Sequence, residues 1–130
     1  MRKILVAEDD LPSRELLVEI LTGWGYEVIQ ASNGREALQK VEESRPDVVL
    51  LDIHMPELDG FGVLRRLREN PRFAALPVVA LTAYAMRETR DRTGQAGFDA
   101  HISKPVNLGS LRALLEQGIP AGAGSLRMPV

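Results

Sequence analysis

Asp52 is the first residue whose position suggests chemistry, because it directly follows a run of four apolar residues, Val48 to Leu51. An ionised carboxylate in a protein core is costly unless it is paired with a cation or bound to a metal. Asp also commonly opens a turn, so Asp52 alone could simply mark the end of a strand. Its role therefore depends on which other side chains are brought to the same place.

Two kinds of segment alternate along the chain. Short apolar or β-branched runs occur at KILVA, EVIQA, DVVLL, PVVAL and, more weakly, AHIS, and stretches of helical periodicity lie between them. This alternation predicts repeated β-α units, in which a parallel sheet carries helices on both faces. The predicted fold class is therefore α/β, with a doubly wound five-stranded parallel sheet.

Five stretches have helical periodicity, although MRETRDRTGQAG is strongly charged and only weakly amphipathic. Gly25 follows the first of them and suits the left-handed conformation just beyond a helix end. Asn33-Gly34 and Asp59-Gly60 could form hairpin turns, but helical patterns follow both, which favours loop-to-helix starts. The predicted inward-facing residues are Leu16, Leu17, Ile20 and Leu21 in the first helix, Ala37, Leu38 and Val41 in the second, Phe61, Leu64 and Leu67 in the third, and Leu108, Leu111, Leu114 and Leu115 in the last.

The composition is that of one globular domain. The chain has 130 residues, of which 45% are hydrophobic and 26% charged. Its formal net charge of -2 lacks the basic excess that a nucleic-acid-binding protein uses. The aperiodic Gly- and Pro-rich segment at residues 119–130 is expected to be a disordered tail behind a domain over residues 1–118.

Several features bear on the compartment. The apolar run of the basic N-terminus stops after Ala7, where acids follow, which argues against an export signal. No segment approaches the roughly 20 apolar residues that a membrane span needs. The chain has no cysteine, which excludes a disulfide framework and thiol chemistry. We therefore expect a cytoplasmic domain that neither inserts into membranes nor binds nucleic acid directly.

Polar residues follow four of the five predicted strands. Because all strands of a parallel sheet end at the same edge, and ligands bind in the crevice outside those ends, these residues should converge there. One such residue could be a turn former, whereas acids, a hydroxyl and an amine from four strands together predict a site. The set consists of Glu8, Asp9 and Asp10 after the first strand, Asp52 after the third, Thr82 after the fourth and Lys104 after the fifth.

This combination suits phosphoryl chemistry. Clustered carboxylates repel one another unless a cation lies among them, and carboxylate oxygens with water suit Mg²⁺. A carboxylate can also act as a nucleophile toward phosphorus and form an acyl phosphate. The phosphoryl oxygens would then need a cation, a hydroxyl donor and an ammonium group, which Mg²⁺, Thr82 and Lys104 would provide.

The motifs KILVAEDD, DVVLLDIHMPELDG, PVVALTAYA and ISKP, in this order and spacing, resemble the receiver domain of two-component response regulators. The resemblance runs from about Lys3 to Gln117. It implies a flavodoxin-like (βα)₅ fold with strand order 2-1-3-4-5, as in the chemotaxis member of the family. It also implies a signalling domain rather than an enzyme, which receives its phosphoryl group from a sensor histidine kinase or a histidine phosphotransfer protein.

The resemblance implies a role for each residue of the site. Asp52 would be the phosphoacceptor, Thr82 the switch hydroxyl and Lys104 the phosphate-binding amine. Asp10 falls one position beyond the acidic pair and is expected to be a solvated loop acid. The implied Mg²⁺ ligands are Asp9 directly, Glu8 through water, Asp52, and the backbone carbonyl of His54.

The family pattern also implies how the signal is timed and transmitted. The residues two after the phosphoacceptor and two after the switch hydroxyl, here His54 and Tyr84, would screen the phosphoryl group from attacking water. His101 stands where the family has an aromatic switch residue, although it could simply fill the same space. A downstream protein would bind the face made by the fourth predicted helix, the fifth strand and the last helix. The Lys104-Pro105 bond is expected to be cis.

Other functions remain as alternatives at this stage. A haloacid-dehalogenase-type, Mg²⁺-dependent aspartyl-phosphate phosphatase would need a second acid two residues after the nucleophile, where this chain has His54. A flavodoxin-like flavin binder would need a phosphate loop after the first strand, but EDDLPS would repel phosphate. The domain could also be a receiver detached from a larger regulator or hybrid kinase, although the low-complexity tail favours a domain that acts alone.

Overall fold

The computed structural model describes residues 2–82 and 96–117, in which five strands form a single sheet. The strands are β1 (Lys3–Ala7), β2 (Glu27–Ala31), β3 (Val48–Asp52), β4 (Val78–Thr82) and β5 (Ala100–Ser103). Their order is β2-β1-β3-β4-β5 and every neighbouring pair is parallel. The predicted doubly wound, flavodoxin-like α/β fold with order 2-1-3-4-5 is confirmed.

Helices connect the strands wherever the connection is described. The connecting helices are α1 (Leu11–Gly23), α2 (Gly34–Ser44) and α3 (Gly60–Glu69), and a further helix, α4 (Leu108–Gln117), follows β5. Asn33 and Asp59 cap α2 and α3, so the Asn-Gly and Asp-Gly pairs are helix starts, as predicted. Gly25 has the positive φ of 95° expected beyond α1. Most of the charged helix predicted after β4, and the tail from residue 118, lie outside the described residues.

The hydrophobic core lies on both faces of the sheet, as a doubly wound fold requires. One apolar cluster joins β1, β3 and β4 to α2 and α3, and a second joins the sheet to α1 and α4. Strands β3 and β4 are buried along their whole length, which explains why their sequences are continuously apolar rather than alternating. Among residues 2–82 and 96–117, no helix has the length and apolar character needed to cross a membrane.

Two predicted inward-facing leucines are instead exposed. Leu16 is 58% exposed and Leu108 is 43% exposed, whereas Leu17 and Leu21 of α1 are buried. A helix on a sheet buries only a limited arc, and neighbouring residues in the helix differ by about 100° around its axis. Leu17 and Leu21, one turn apart, face the sheet, which leaves Leu16 outside the contact.

Candidate functional site

The acidic pair after β1 contributes one buried and one exposed carboxylate. Glu8 is fully buried, and its backbone N–H donates to Ala31 O at 3.0 Å. Asp9 is exposed. Oxygen atoms of Glu8, Asp9 and Asp52 lie within 4.8 Å of one another, which brings together three of the predicted site residues.

Asp10 has a structural role that the sequence prediction missed. It is exposed, as expected of a loop acid, but it is also the N-cap of α1. Its Oδ2 accepts hydrogen bonds from the backbone N–H of Ser13 at 3.1 Å and from the Ser13 hydroxyl at 2.6 Å, and these bonds lower the pKa of Asp10. The Asp10 N–H in turn donates to Glu8 Oε2 at 3.3 Å. Asp10 therefore sets the start of α1 and helps to hold the Glu8 carboxylate.

Asp52 is the last residue of β3, and it is only 3% exposed at the carboxyl edge of the sheet. Its Oδ1 accepts the backbone N–H of His54 at 2.8 Å, and its Oδ2 accepts a hydrogen bond from the Lys104 ammonium at 3.1 Å. A role as a turn former does not explain Asp52, because its carboxylate is buried and forms an ion pair with Lys104, which is 52 positions away in the sequence.

Lys104 joins the acids of two strands. Its ammonium donates hydrogen bonds to Glu8 Oε1 and to Asp52 Oδ2. Its backbone N–H donates to Thr82 O at 2.7 Å, which ties the end of β5 to the end of β4. The Lys104-Pro105 peptide bond is cis, as predicted. The ammonium thus lies between two buried carboxylates.

The electrostatics of this cluster are unbalanced. Burial, aided by the hydrogen bond to Asp52, raises the pKa of Glu8 from an ordinary 4.5 to about 7 despite the opposing attraction of Lys104. Burial lowers the pKa of Lys104, but its hydrogen bonds and charge attraction to Glu8 and Asp52 outweigh burial, so that the net change is upward. At Glu8, burial and the neighbouring Asp52 therefore outweigh the attraction of the Lys104 ammonium.

The remaining predicted site residues differ in their burial and position. Thr82 is fully buried at the end of β4, one residue beyond Leu81, which pairs with Asp52. The His54 side chain is exposed, and its described backbone contact is the N–H donated to Asp52. His101 is half-buried on β5. Tyr84 lies outside the described residues, so its shielding role stays a prediction.

Two residues absent from the predicted set support the site. Arg14 of α1 donates from Nη1 to the Glu8 carbonyl at 2.8 Å. At Gly60, the first residue of α3, an added Cβ would lie 2.6 Å from Ile53 Cα and 2.8 Å from Asp52 O. Only glycine allows α3 to start this close to the backbone of Asp52. The Asp-Gly pair signalled a helix start in the sequence, but the close approach depends on the packing of α3.

An apolar groove lies beside the cluster, between α1 and the segment that follows β5. It has a volume of about 220 Å³, and Glu8 and Lys104 contribute to its lining. The exposed Leu16 and Leu108, whose positions contradicted the sequence prediction, are part of it. The other lining residues are Ser13, Leu17, Ile20, Pro105 and Val106.

Comparisons with known proteins agree with this architecture. The family model described as the response regulator receiver domain matches residues 4–116. The polar-differentiation response regulator DivK of Brucella anthropi is 36% identical over 107 residues, which cover 82% of this chain and 87% of DivK.

Solved structures give the same result. The chemotaxis protein CheY4 of Vibrio cholerae has a TM-score of 0.83 and 31% identity, covering 90% of this chain and 98% of CheY4. The receiver domain of a Pseudomonas aeruginosa sensor histidine kinase also has a TM-score of 0.83, with 30% identity over 91% of this chain and 97% of that domain. That structure has a magnesium ion coordinated in its active site cleft.

Proposed function

Since the chain belongs to the response regulator receiver domain family, we propose that it is a phospho-accepting response regulator in which Asp52 receives the phosphoryl group. Receiver domains of response regulators are signalling proteins that interact with histidine kinases and phosphotransfer partners. The observation that carries the proposal is the Asp52 carboxylate, which is buried at the sheet edge, is paired with Lys104 and lies close to the carboxylates of Glu8 and Asp9. A cytoplasmic location, expected from the sequence, is part of the same proposal.

The acidic cluster fits a divalent cation. Three carboxylates offer oxygen ligands within a small volume, and burial together with the neighbouring Asp52 raises the pKa of Glu8, so a bound cation would favour its ionised form. All-oxygen donor sets of this kind suit Mg²⁺. We propose that Asp9, Asp52, Glu8 and the His54 carbonyl would hold the ion, which when bound would neutralise charge on the transferred phosphoryl oxygens.

The residues present can carry the transfer step. A carboxylate oxygen of Asp52 attacks phosphorus, and the bond between phosphorus and the donor nitrogen or oxygen breaks as the new O–P bond forms. The electron pair of the broken bond leaves with the donor. The Lys104 ammonium lies 3.1 Å from Asp52 Oδ2, so it can move its hydrogen bond to a phosphoryl oxygen without crossing the site.

The switching residues are the finer part of the proposal. The Thr82 hydroxyl would donate to a phosphoryl oxygen and so draw the end of β4 toward Asp52. His101 on β5 would respond to that displacement, and His54 and Tyr84 would limit hydrolysis. The readout face for a downstream protein comprises the helix predicted after β4 together with β5 and α4.

The groove between α1 and the segment after β5 suits the phosphodonor protein. Exposed apolar residues beside an acidic and cationic site are what a partner helix needs in order to bring a phosphohistidine to Asp52. Leu16 and Leu108, which are both exposed, line this groove together with Lys104. We propose that one helix of a histidine kinase or phosphotransfer protein binds here.

Labelling tests the proposed function directly. Incubation with radiolabelled acetyl phosphate and Mg²⁺ should add one acid-stable, hydroxylamine-labile phosphoryl group per chain. If the wild-type protein takes up no label from acetyl phosphate or from the histidine kinases of its source organism, the proposal is wrong. Steady turnover of small phosphate esters would instead support the phosphatase alternative.

Mg²⁺ should stabilise the protein through the acidic cluster. Binding to the native state alone adds RT ln(1 + [L]/Kd), which is about 1.4 kcal/mol at a tenfold excess over Kd and roughly 5 °C in Tm for a domain of this size. Thermal melts at constant ionic strength should show this rise in the wild type and its loss in Asp9→Asn. Asp47→Asn, at an exposed acid before β3, is the matched control and should keep the response. A wild-type Tm indifferent to Mg²⁺ would contradict the site.

Leu16→Glu should separate partner binding from chemistry. A carboxylate in the apolar groove should weaken docking of a protein donor, so the phosphotransfer rate from the cognate kinase should fall by about tenfold or more. The rate from acetyl phosphate should stay unchanged, because the small donor does not need the groove. Leu11→Glu is the control, since Leu11 is 51% exposed on the same helix but is not among the residues that line the groove. Equal losses with both donors, or with both variants, would refute the docking proposal.

A further inference from the structure

The sequence of strand β5 specifies its position in the sheet only weakly, although the strand leads directly to Lys104. It has four residues, pairs only with β4 among the described strands, and buries only Ile102. Short edge strands with one buried position specify their register poorly. A slip of two residues would move Lys104 by about 6.6 Å along the strand direction. That displacement would break the 3.1 Å hydrogen bond from the Lys104 ammonium to Asp52 Oδ2.

The residue just before β5 makes an unusually specific contact with the start of β4. Asp99 donates its backbone N–H to Val78 O at 2.9 Å, and its Oδ2 accepts the Val78 N–H at 2.7 Å. The Asp99 side chain is fully buried. The first residue of β4 is thus bonded to both the backbone and the side chain of Asp99. Strand β5 itself contains no carboxylate that could take the place of Asp99 after a slip.

Arg68 of α3 connects this contact to the surrounding chain. Its Nη2 donates to Asp99 Oδ2 at 3.0 Å and to Gly97 O at 3.3 Å. Its Nη1 donates to Leu76 O at 2.7 Å and to Phe73 O at 3.3 Å. One guanidinium therefore joins the end of α3, the connection into β4 and the approach to β5, which a single planar fork of donors can do.

We propose that Arg68 and Asp99 are positioning residues for Lys104, because they fix the register of β5 against β4. A buried ion pair is often no more stabilising than an apolar pair of similar shape, but its bonds are satisfied in one arrangement only. The contact lies at one end of the β4-β5 pair, and the bond from Lys104 N–H to Thr82 O lies at the other. The proposal that these two residues fix the strand register rests on this geometry alone. The consequence for phosphorylation rests in addition on the proposed function.

Amide hydrogen exchange tests the register. In Arg68→Met and in Asp99→Leu, the Lys104 amide should exchange about tenfold or more faster, while the Leu50 amide in central β3 changes much less. Asp99→Asn keeps a side-chain oxygen for the Val78 N–H, so its Lys104 amide should be protected almost as well as in the wild type. If Arg68→Met or Asp99→Leu fails to fold, Arg68→Lys and Asp99→Asn are measured in their place. Arg72→Met is the matched control, because Arg72 pairs with Glu42 at an exposed site. Equal acceleration at Lys104 and Leu50 would show a purely global effect and overturn the proposal.

Phosphorylation kinetics test whether the effect passes through Lys104. Arg68→Met should slow labelling by acetyl phosphate about tenfold or more per folded molecule, since small displacements of a positioned group reduce rates strongly. In a Lys104→Met background the same substitution should cause no further loss. A similar additional loss in that background would refute a positioning role. If wild-type protein is not labelled at all, the proposed function fails, whereas the exchange result still decides the register.

Discussion

Asp52→Asn protein should take up no phosphoryl group from acetyl phosphate under conditions in which the wild type is labelled once per chain. Asn has nearly the same shape as Asp and can still accept the His54 N–H at its side-chain oxygen. It lacks the anionic oxygen that must form the bond to phosphorus, so the loss should be complete rather than partial. Radiolabel incorporation followed by hydroxylamine release gives the measurement.

Asp47→Asn provides the control for this loss. Asp47 precedes the same strand at its opposite end, is exposed, and accepts the Lys3 N–H through Oδ2 at 2.7 Å. Its substitution should leave labelling at the wild-type rate. Labelling of Asp52→Asn at that rate would mean that another residue is the phosphoacceptor.

Glu8→Gln should stabilise the metal-free protein at neutral and higher pH, although Glu8 belongs to the functional site. The pKa of Glu8 is about 7 in the folded protein against 4.5 ordinarily. The folded state therefore binds the proton more tightly, and the associated stability is fully present below pH 4.5 and lost as pH rises through 7. The difference between these limits is about 3 kcal/mol. Gln stays neutral over this whole pH range, so Glu8→Gln should not lose this stability as the pH rises.

Urea unfolding in the presence of a chelator measures the effect. The free energy of unfolding of Glu8→Gln should exceed that of the wild type by up to about 3 kcal/mol at pH 8, and the two should converge toward pH 4.5. Mg²⁺ should narrow this difference at pH 8, because the cation compensates the wild-type carboxylates. A Glu8→Gln protein no more stable than the wild type at pH 8 without metal would contradict the unbalanced cluster.

Glu36→Gln gives a control of opposite sign. The backbone N–H of Ser32 donates to Glu36, and this bond holds the pKa of Glu36 below its ordinary 4.5. A carboxyl with a lowered pKa contributes stability above its ordinary value that is lost as pH falls through the folded pKa. Glu36→Gln should therefore be less stable than the wild type at pH 8, whereas Glu8→Gln should be more stable.

Much of the fold could be predicted because local patterns and global packing agree. The continuous apolar runs of β3 and β4 are what strands buried on both faces require. The caps at Asn33 and Asp59 followed from residue types with a local hydrogen-bonding mechanism. The exposed Leu16 was mispredicted, because helical periodicity gives the apolar arc but not which part of it the sheet covers.

The candidate site was also predictable in its residue types, for a topological reason. Parallel strands end at one edge, so Glu8, Asp52 and Lys104 had to approach one another once the order of strands was known. Periodicity could not reveal Arg14 or Gly60, since the support they provide depends on distances between segments. The role of Asp10 as the N-cap of α1 could not be predicted either, since the sequence showed only a third acid after Glu8 and Asp9.

The sequence by itself determined the alternation of strands and helices and the identities of the residues at the carboxyl edge. It could do so because helical and strand periods, caps and apolar runs act over a few residues. Only the tertiary structure decided that the Lys104 ammonium lies between Glu8 and Asp52, and that Arg68 and Asp99 secure the strand leading to it. These contacts join residues 31 to 96 positions apart, and their energies depend on burial and geometry that no local pattern encodes.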